Sequence, residues 1–341
     1  MTAHEAGNFR PLVAILPEYA MSNAYLARMR EILGTVTDIQ PLQGKARLRR
    51  MLRGEAARLD FIITNWADND LITSSGRLSV TGVMRFLMRW AQLKLVGRAL
   101  IFVRHNRYPH SAVLQSAARA ERVVDWCERL FDGVFIHSGA PQVAGHRRSF
   151  YVPHPLYHAE PVSSAADRFP EPYFAIFGRI LPYKRLEHLM SRFPDNRRLV
   201  VFGEIGDSRY ADELRALRKS NVTFSPGFRE EPELRAILSR SAAIVIPNAD
   251  SDVIVSGTFF YAMTLRKPVF ALRTQFLEWI GTRLGQDAVF LANDVEELCA
   301  LMRDSPQPSI SAETSSRIEQ EFGDPAVRSA VLQAFAAIRG R

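Results

Sequence analysis

The chain has 341 residues, is 47% apolar and 23% charged, and carries a formal net charge of +8. That length and apolar content fit two domains of ordinary size with real cores. No run approaches the ~18–20 apolar residues of a spanning helix, no basic-then-apolar leader opens the chain, and Cys127 and Cys299 stand in no ligand spacing. A reduced cytoplasmic compartment is therefore expected, with neither a disulfide framework nor a cysteine metal site.

The charge is unevenly spread. Residues 1–160 hold 21 Lys+Arg against 13 Asp+Glu, whereas residues 161–341 hold 23 of each. The excess predicts an anionic partner for the first half: a membrane surface, a phosphate-bearing lipid or a nucleic acid.

In chain order, Pro11–Pro17 reads as a buried strand and Met21–Leu33 as a helix capped near Ser22 or Asn23. Residues 45–58 hold five arginines and one lysine and read as a basic helix. Asp60–Trp66 is a second strand, ending in the polar loop Ala67-Asp68-Asn69-Asp70. Gly82–Val96 has helical spacing. Val83, Phe86, Leu87 and Trp90 share one face, while Met84, Met88, Leu93 and Leu95 leave few polar positions. Packing on a sheet and dipping into a membrane interface are both open for it. Strands at Ala99–Arg104 and Phe131–His137 follow, then Tyr151-Val152-Pro153-His154-Pro155. Five prolines and no periodicity between Pro153 and Pro172 place a linker there.

The second half restarts the alternation. Strands are expected at Tyr173–Phe177, Arg198–Phe202 and Asn221–Phe224, each followed by a glycine-bearing turn (Gly178, Gly203, Gly227). Helices are expected to Arg192, at Ser208–Lys219 and at Glu231–Arg240. The stretch Ala243–Leu272 organises this half. An apolar strand, the polar loop Asn248–Asp252, Ser256-Gly257, a helix over Thr258–Leu265 and a strand from Pro268 succeed one another. A strand, a loop and small residues before a helix present backbone N–H groups to an anion, though an ordinary turn has the same look. Helices near Asp294–Met302, Ala312–Phe322 and Pro325–Ile338 close the chain. The alternation predicts two parallel-sheet domains.

Several segments together resemble the two-domain GT-B glycosyltransferases of the exopolysaccharide type. Phe177-Gly178-Arg179 with Pro182-Tyr183-Lys184 is similar to their donor-phosphate motif, and Val245–Pro268 to their strand, loop, Ser-Gly, helix segment. Asn65-Trp66-Ala67-Asp68 stands where relatives have His-Trp-Pro-Glu. Arg104-His105-Asn106 with Pro109-His110 resembles His-Asn-x-x-Pro-His, and His154 to Tyr157 resembles the His-x-x-Tyr before their linker. The pattern is most similar to the xanthan-type GDP-mannose:glycolipid β-1,4-mannosyltransferases. Many retaining relatives carry a pair of glutamates where this chain has Val253 and Tyr261.

The resemblance implies an α/β GT-B fold of two Rossmann-like domains facing a cleft, with C-terminal helices closing back toward the N-domain. The expected boundaries are 1–155, a linker 156–172, 173–322, and a last helix 323–341. The implied reaction moves a hexose, GDP-mannose favoured as donor, to a polyprenyl-diphosphate-linked oligosaccharide in exopolysaccharide assembly. Inversion is expected. A retaining UDP-sugar hexosyltransferase and a non-catalytic binder of sugar nucleotide or nucleic acid are the alternatives. The expected donor contacts are Gly178, Arg179, Lys184, Gly203, Gly227, Phe228, Ser256, Gly257 and Tyr261; the acceptor contacts are Asn23, Asn65, Trp66 and Asn106.

Such a reaction needs cations for the leaving diphosphate, supplied by Arg179 and Lys184, and a base for the acceptor hydroxyl. Asp68 is the first choice and His105 the alternative, with Asp70 and Glu18 as outside candidates. No metal or other cofactor is expected, and no nucleic acid. The expected place is the cytoplasmic side of the inner membrane, held peripherally by the basic half.

Overall fold

The computed structural model describes residues 10–18, 23–73, 75–109, 117–140, 148–158, 169–217, 219–248, 254–305 and 307–340. Val253, His110 and most of the Asn248–Asp252 loop lie outside them. The chain divides into two compact units. One comprises Met1–Pro155, Asp252–Val255 and Asp324–Arg341; the other comprises Leu156–Ser251 and Ser256–Gly323.

The first unit alternates β1 (Leu12–Leu16), α1 (Ala24–Gly34), β2 (Asp38–Ile39), α2 (Gly44–Leu52), β3 (Leu59–Asn65), α3 (Val80–Val96), β4 (Gly97–Arg104), α4 (Ala117–Glu128), β5 (Gly133–Ile136) and β6 (Ser149–Tyr151). All six strands are parallel, in the order β2-β1-β3-β4-β5-β6. The central strands read as unbroken apolar runs because helices cover both faces. Ile62, Leu100, Phe102 and Val134 pack with Phe86, Leu93 and Val96 of α3 and Val124 of α4.

The last helix, α12 (Asp324–Arg339), belongs to this unit too. Phe335 stacks on Phe61 at 3.8 Å and 6°, Arg339 pairs with Asp60 at 3.2 Å, and Arg28 of α1 reaches Asp324 at 2.5 Å.

Helix α4 was not anticipated from the sequence, α1 starts at Ala24 rather than Met21, and two further helices of this unit depart at one end. The basic stretch is helical only to Leu52, because Gly54 adopts φ +74 beyond the Arg53 cap and ends the helix. Arg47 within it is buried and donates to Gln40 Oε1 (2.6 Å) and to the Ala57 carbonyl (3.0 Å). Helix α3 starts earlier than expected, where Ser79 accepts from the Gly82 N–H.

The second unit runs β7 (Phe174–Ile176), α5 (Leu186–Arg192), β8 (Leu199–Gly203), α6 (Ser208–Ala216), β9 (Val222–Pro226), α7 (Glu231–Arg240), β10 (Ala243–Ile246), α8 (Gly257–Thr264), β11 (Val269–Leu272), α9 (Gln275–Leu284), β12 (Val289–Ala292), α10 (Val295–Asp304) and α11 (Ala312–Phe322). Its six strands are also parallel, in the order β12-β11-β10-β7-β8-β9. In each sheet the order reverses about the first strand, so the carboxyl ends of β1/β3 and of β7/β10 flank a switch point, where open α/β sheets hold ligands.

Candidate functional site

At the carboxyl edge of the first sheet, four of the six strands deliver a polar or aromatic side chain. Asn65 ends β3, His105 follows β4, His137 follows β5, and His154 lies three residues past β6. Tyr25 comes from the first turn of α1, which Asn23 caps by accepting from Leu26 N–H at 3.0 Å. Trp66 sits in left-handed backbone at φ 52 and stacks on His105 at 4.6 Å and 17°. Tyr25 meets His105, His137 and His154 with ring centroids 5.0, 5.2 and 4.9 Å away.

The hydrogen bonds are specific. Asn65 Nδ2 donates to the Leu16 carbonyl at 2.9 Å, and Asn65 Oδ1 lies 2.9 Å from His105 Nε2. His137 Nδ1 lies 2.7 Å from the Val152 carbonyl and its Nε2 2.9 Å from the Tyr25 hydroxyl. Burial holds all three imidazoles neutral. It lowers His105 and His154 well below the usual histidine range, with neighbouring histidines adding to it, and brings His137 down to about 4.

Beside this cluster lies a second polar group. Arg104, buried at the end of β4, pairs with Asp125 (2.9 Å) and Glu128 (3.1 Å) of α4. Asp68, in the 3₁₀ turn Ala67–Leu71, is buried near them, and burial pushes its carboxyl up to about 6 against the pull of its own N–H and of Arg104. Burial likewise brings Glu128 up to about 7. Asp70 pairs with Arg89 at 3.0 Å, Glu18 accepts from the Leu42 N–H, and the Asn106 carbonyl accepts from Arg104 Nε.

The carboxyl edge of the second sheet is built from backbone. Gly178, Gly203 and Gly227 follow β7, end β8 and follow β9. Gly227 N–H donates to the Gly203 carbonyl at 2.7 Å. A Cβ on Gly203 would lie 2.1 Å from the Gly178 carbonyl oxygen, and its φ of +140 is open only to glycine. Ile180 N–H donates to Glu204 and Gly206 N–H to Ile180, which zips the two turns together. Lys184 Nζ stands 3.4 Å from where a Cβ of Gly178 would be. Arg179 is exposed, with Glu204 at 3.7 Å, and Phe228 is exposed past Gly227.

In the same unit Ser256 caps α8 by accepting from Phe259 N–H at 3.3 Å, and Gly257 lies under the Tyr157 hydroxyl. Tyr261 is buried, packs edge-on to Phe177 at 5.4 Å, and donates its hydroxyl to Glu231 at 2.5 Å.

The structure thus gathers Asn65, Trp66 and His105 on one edge, with Asn106 and Asp68 close in sequence, and Gly178, Gly203, Gly227 and Lys184 on the other. Asn23 and Ser256 are occupied as helix caps. Tyr25, His137 and Glu231 were not singled out from sequence, and His154 was named there only within the His-x-x-Tyr resemblance, with no role at the site. The signal for His137 was present: a histidine directly after a strand's carboxyl end.

No protein-family model matches this sequence, and no curated protein matches it either. Solved structures do. AviGT4, a glycosyltransferase involved in avilamycin A biosynthesis, superposes with a TM-score of 0.60 at 15% identity over 98% of this chain and 99% of its own. A structure described as trehalose-6-phosphate from E. coli, bound with UDP-2-fluoro glucose, gives 0.55 at 13% identity over 94% and 82%. TarM gives 0.55 at 11% identity over 81% of this chain, which spans 54% of TarM's length. At such identities the likeness is one of fold, and the fold is GT-B.

Proposed function

We propose that the protein is a glycosyltransferase that transfers a hexose from a nucleotide sugar to an acceptor hydroxyl. The observation that carries this reading is the second sheet's glycine edge with the Lys184 ammonium over Gly178. An edge without side chains lets a diphosphate approach backbone N–H groups, and a lysine there stabilises charge as it builds on the leaving group. Similar structures include a glycosyltransferase and a protein bound with a UDP-sugar analogue.

On this reading the second unit takes the donor and the first unit takes the acceptor, with Asp68 or His105 receiving the hydroxyl proton. Tyr261 occupies a position where retaining relatives carry a carboxylate, which favours inversion. The finer reading makes GDP-mannose the donor and a polyprenyl-diphosphate-linked oligosaccharide of exopolysaccharide assembly the acceptor, with no metal or other cofactor. It places the enzyme peripherally on the cytoplasmic side of the inner membrane.

One surface supports the lipid part. Val80, Met84, Met88 and Leu95 of α3 are 79, 57, 58 and 56% exposed and fall on one stripe of the helix, beside exposed Arg85. Leu52 is 82% exposed on α2, with Lys45, Arg49 and Arg50 also exposed there. Apolar residues rimmed by arginine suit the headgroup layer of an anionic bilayer. Among the described residues no helix is long and apolar enough to cross a membrane.

The test is a thermal-shift screen of nucleoside diphosphates and nucleotide sugars, followed by turnover with a lipid-linked acceptor. A ligand at a hundred times its Kd adds about 2.7 kcal/mol of stability. A GDP or UDP species is expected to raise Tm, and no shift with any of them would sink the reading. Transfer from an α-linked donor should then give a β-linked product, read from the anomeric coupling in NMR; an α-linked product would discard the inverting mechanism.

A further inference from the structure

We propose that Asn65 is a positioning residue that holds His105 as its Nε2–H tautomer, leaving Nδ1 as the proton-accepting atom. This deepens the glycosyl-transfer reading and rests on it for the reaction, though not for the tautomer.

The argument starts from the Leu16 carbonyl, which can only accept. It lies 2.9 Å from one terminal atom of the Asn65 amide, so that atom is the NH₂ group. The other terminal atom is therefore the oxygen, and it lies 2.9 Å from His105 Nε2. An amide oxygen has no proton to give, so Nε2 supplies it. A neutral imidazole has one N–H, which leaves the Nδ1 lone pair available.

The other two histidines are set the opposite way. His137 Nδ1 faces the Val152 carbonyl and His154 Nδ1 faces the Pro155 carbonyl, at 2.7 and 2.8 Å. Both carry the proton on Nδ1, and the Tyr25 hydroxyl donates to His137 Nε2. Of the three, His105 is the one whose Nδ1 stays a base. Its ring plane is held by the Trp66 stack on one face and the Tyr25 edge at 5.0 Å and 90°. The titratable groups around it are His137, His154 and Tyr25; burial and the two histidines keep it uncharged.

In the reaction the acceptor oxygen bonds to the anomeric carbon as the bond from that carbon to the diphosphate oxygen breaks, and the nucleoside diphosphate leaves with the electron pair. Nδ1 takes the hydroxyl proton. The resulting imidazolium keeps its Nε2–H on Asn65 and returns the new proton to solvent once the products have left.

The experiment is long-range ¹H–¹⁵N correlation on the full-length wild-type protein with ¹⁵N-labelled histidine at about pH 7.5, with His105→Gln assigning the signal. His105 is expected to show a protonated Nε2 and a bare Nδ1, opposite to His137 and His154. A protonated Nδ1 on His105, or a mixture of tautomers, would overturn the proposal. Asn65→Asp keeps an acceptor at Nε2. It should retain the tautomer and move the acid limb of the kcat profile to higher pH, because a carboxylate favours the imidazolium. Asn65→Leu should mix the tautomers and lower kcat by roughly tenfold or more while changing KM less; an unchanged tautomer in folded Asn65→Leu would also overturn it. If the spectrum is as expected but no nucleotide sugar is turned over, the glycosyltransferase reading falls and the Asn65–His105 assignment stands.

Discussion

The two units share one plan, six parallel strands with a switch point beside the first strand, yet their carboxyl edges are finished in opposite ways. The first edge is filled with rings and amides: Tyr25, Asn65, Trp66, His105, His137 and His154, locked by hydrogen bonds and stacking. The second is stripped to glycines that touch through their main chain. One edge can hold a proton at a chosen atom. The other can let a bulky anion reach backbone donors. The same fold is thus specialised by what is added to one sheet and by what is removed from the other.

The contrast breaks most sharply at Gly203. Gly203→Ala puts a Cβ 2.1 Å from a backbone oxygen in a disallowed φ. A loss of at least about 3 kcal/mol is expected from strain that flexible side chains cannot relieve. Thermal unfolding reads it, and an unchanged Tm would mean the two turns are not held together as described.

Acid should find the first edge next. His137 has its folded value lowered from 6.5 to about 4, so its contribution is present above pH 6.5 and is lost as pH falls toward 4. The loss is roughly 3 kcal/mol for this group. Asp68 has the opposite sign. Raised to about 6, it costs stability above that pH and nothing below 3.8. The urea midpoint, followed by tryptophan fluorescence, reports mainly on the first unit, which holds Trp66, Trp90 and Trp126 against Trp279 in the second. The midpoint should fall between pH 6.5 and 4.5, less steeply in His137→Gln. Asp68→Asn should raise it at pH 8 and leave it nearly unchanged at pH 4. Parallel pH curves for all three proteins would refute the assignments.

The second edge is probed by Lys184→Ala, expected to weaken nucleoside diphosphate binding by about tenfold to a hundredfold, the worth of one charge-assisted contact. Calorimetry measures it, and equal affinity would remove Lys184 from the site. The smallest effect belongs to the basic surface. Reversing Arg49, Arg50, Arg53 or Arg85 should cost about 1 kcal/mol each in binding to anionic vesicles at low salt. Equal binding to neutral vesicles would exclude the electrostatic contribution.

The strand–helix alternation was legible because parallel strands buried on both faces leave continuous apolar runs such as DFIITN and ALIFVR. Strands β2 and β6 were not, being only two and three residues long, and neither was β12, a four-residue apolar run that periodicity alone does not tell from a buried helix segment. The glycine edge could be read because a glycine after each strand is a local signal. Single histidines at strand ends could be read too, but their assembly into one cluster could not. Tyr25 and His137 are 112 positions apart, and only the strand order brings β5 and α1 to one edge. Tyr261 was read as a donor contact, whereas its hydroxyl bond to Glu231, thirty positions away, is tertiary information.

The placement of α12 has a consequence for biosynthesis. The helix that stacks Phe335 on Phe61 and lays Ile338 against Gly133 is encoded after the whole of the second unit. A nascent chain that has emerged as far as Pro155 has all six strands of the first sheet, but the patch that α12 covers is still bare. The second unit, continuous from Leu156 apart from one short excursion, has no such debt to a distant segment. On the ribosome, where domains fold as they emerge, the half translated first is the half completed last, and its uncovered aromatic patch is what a holdase chaperone would meet in the interval.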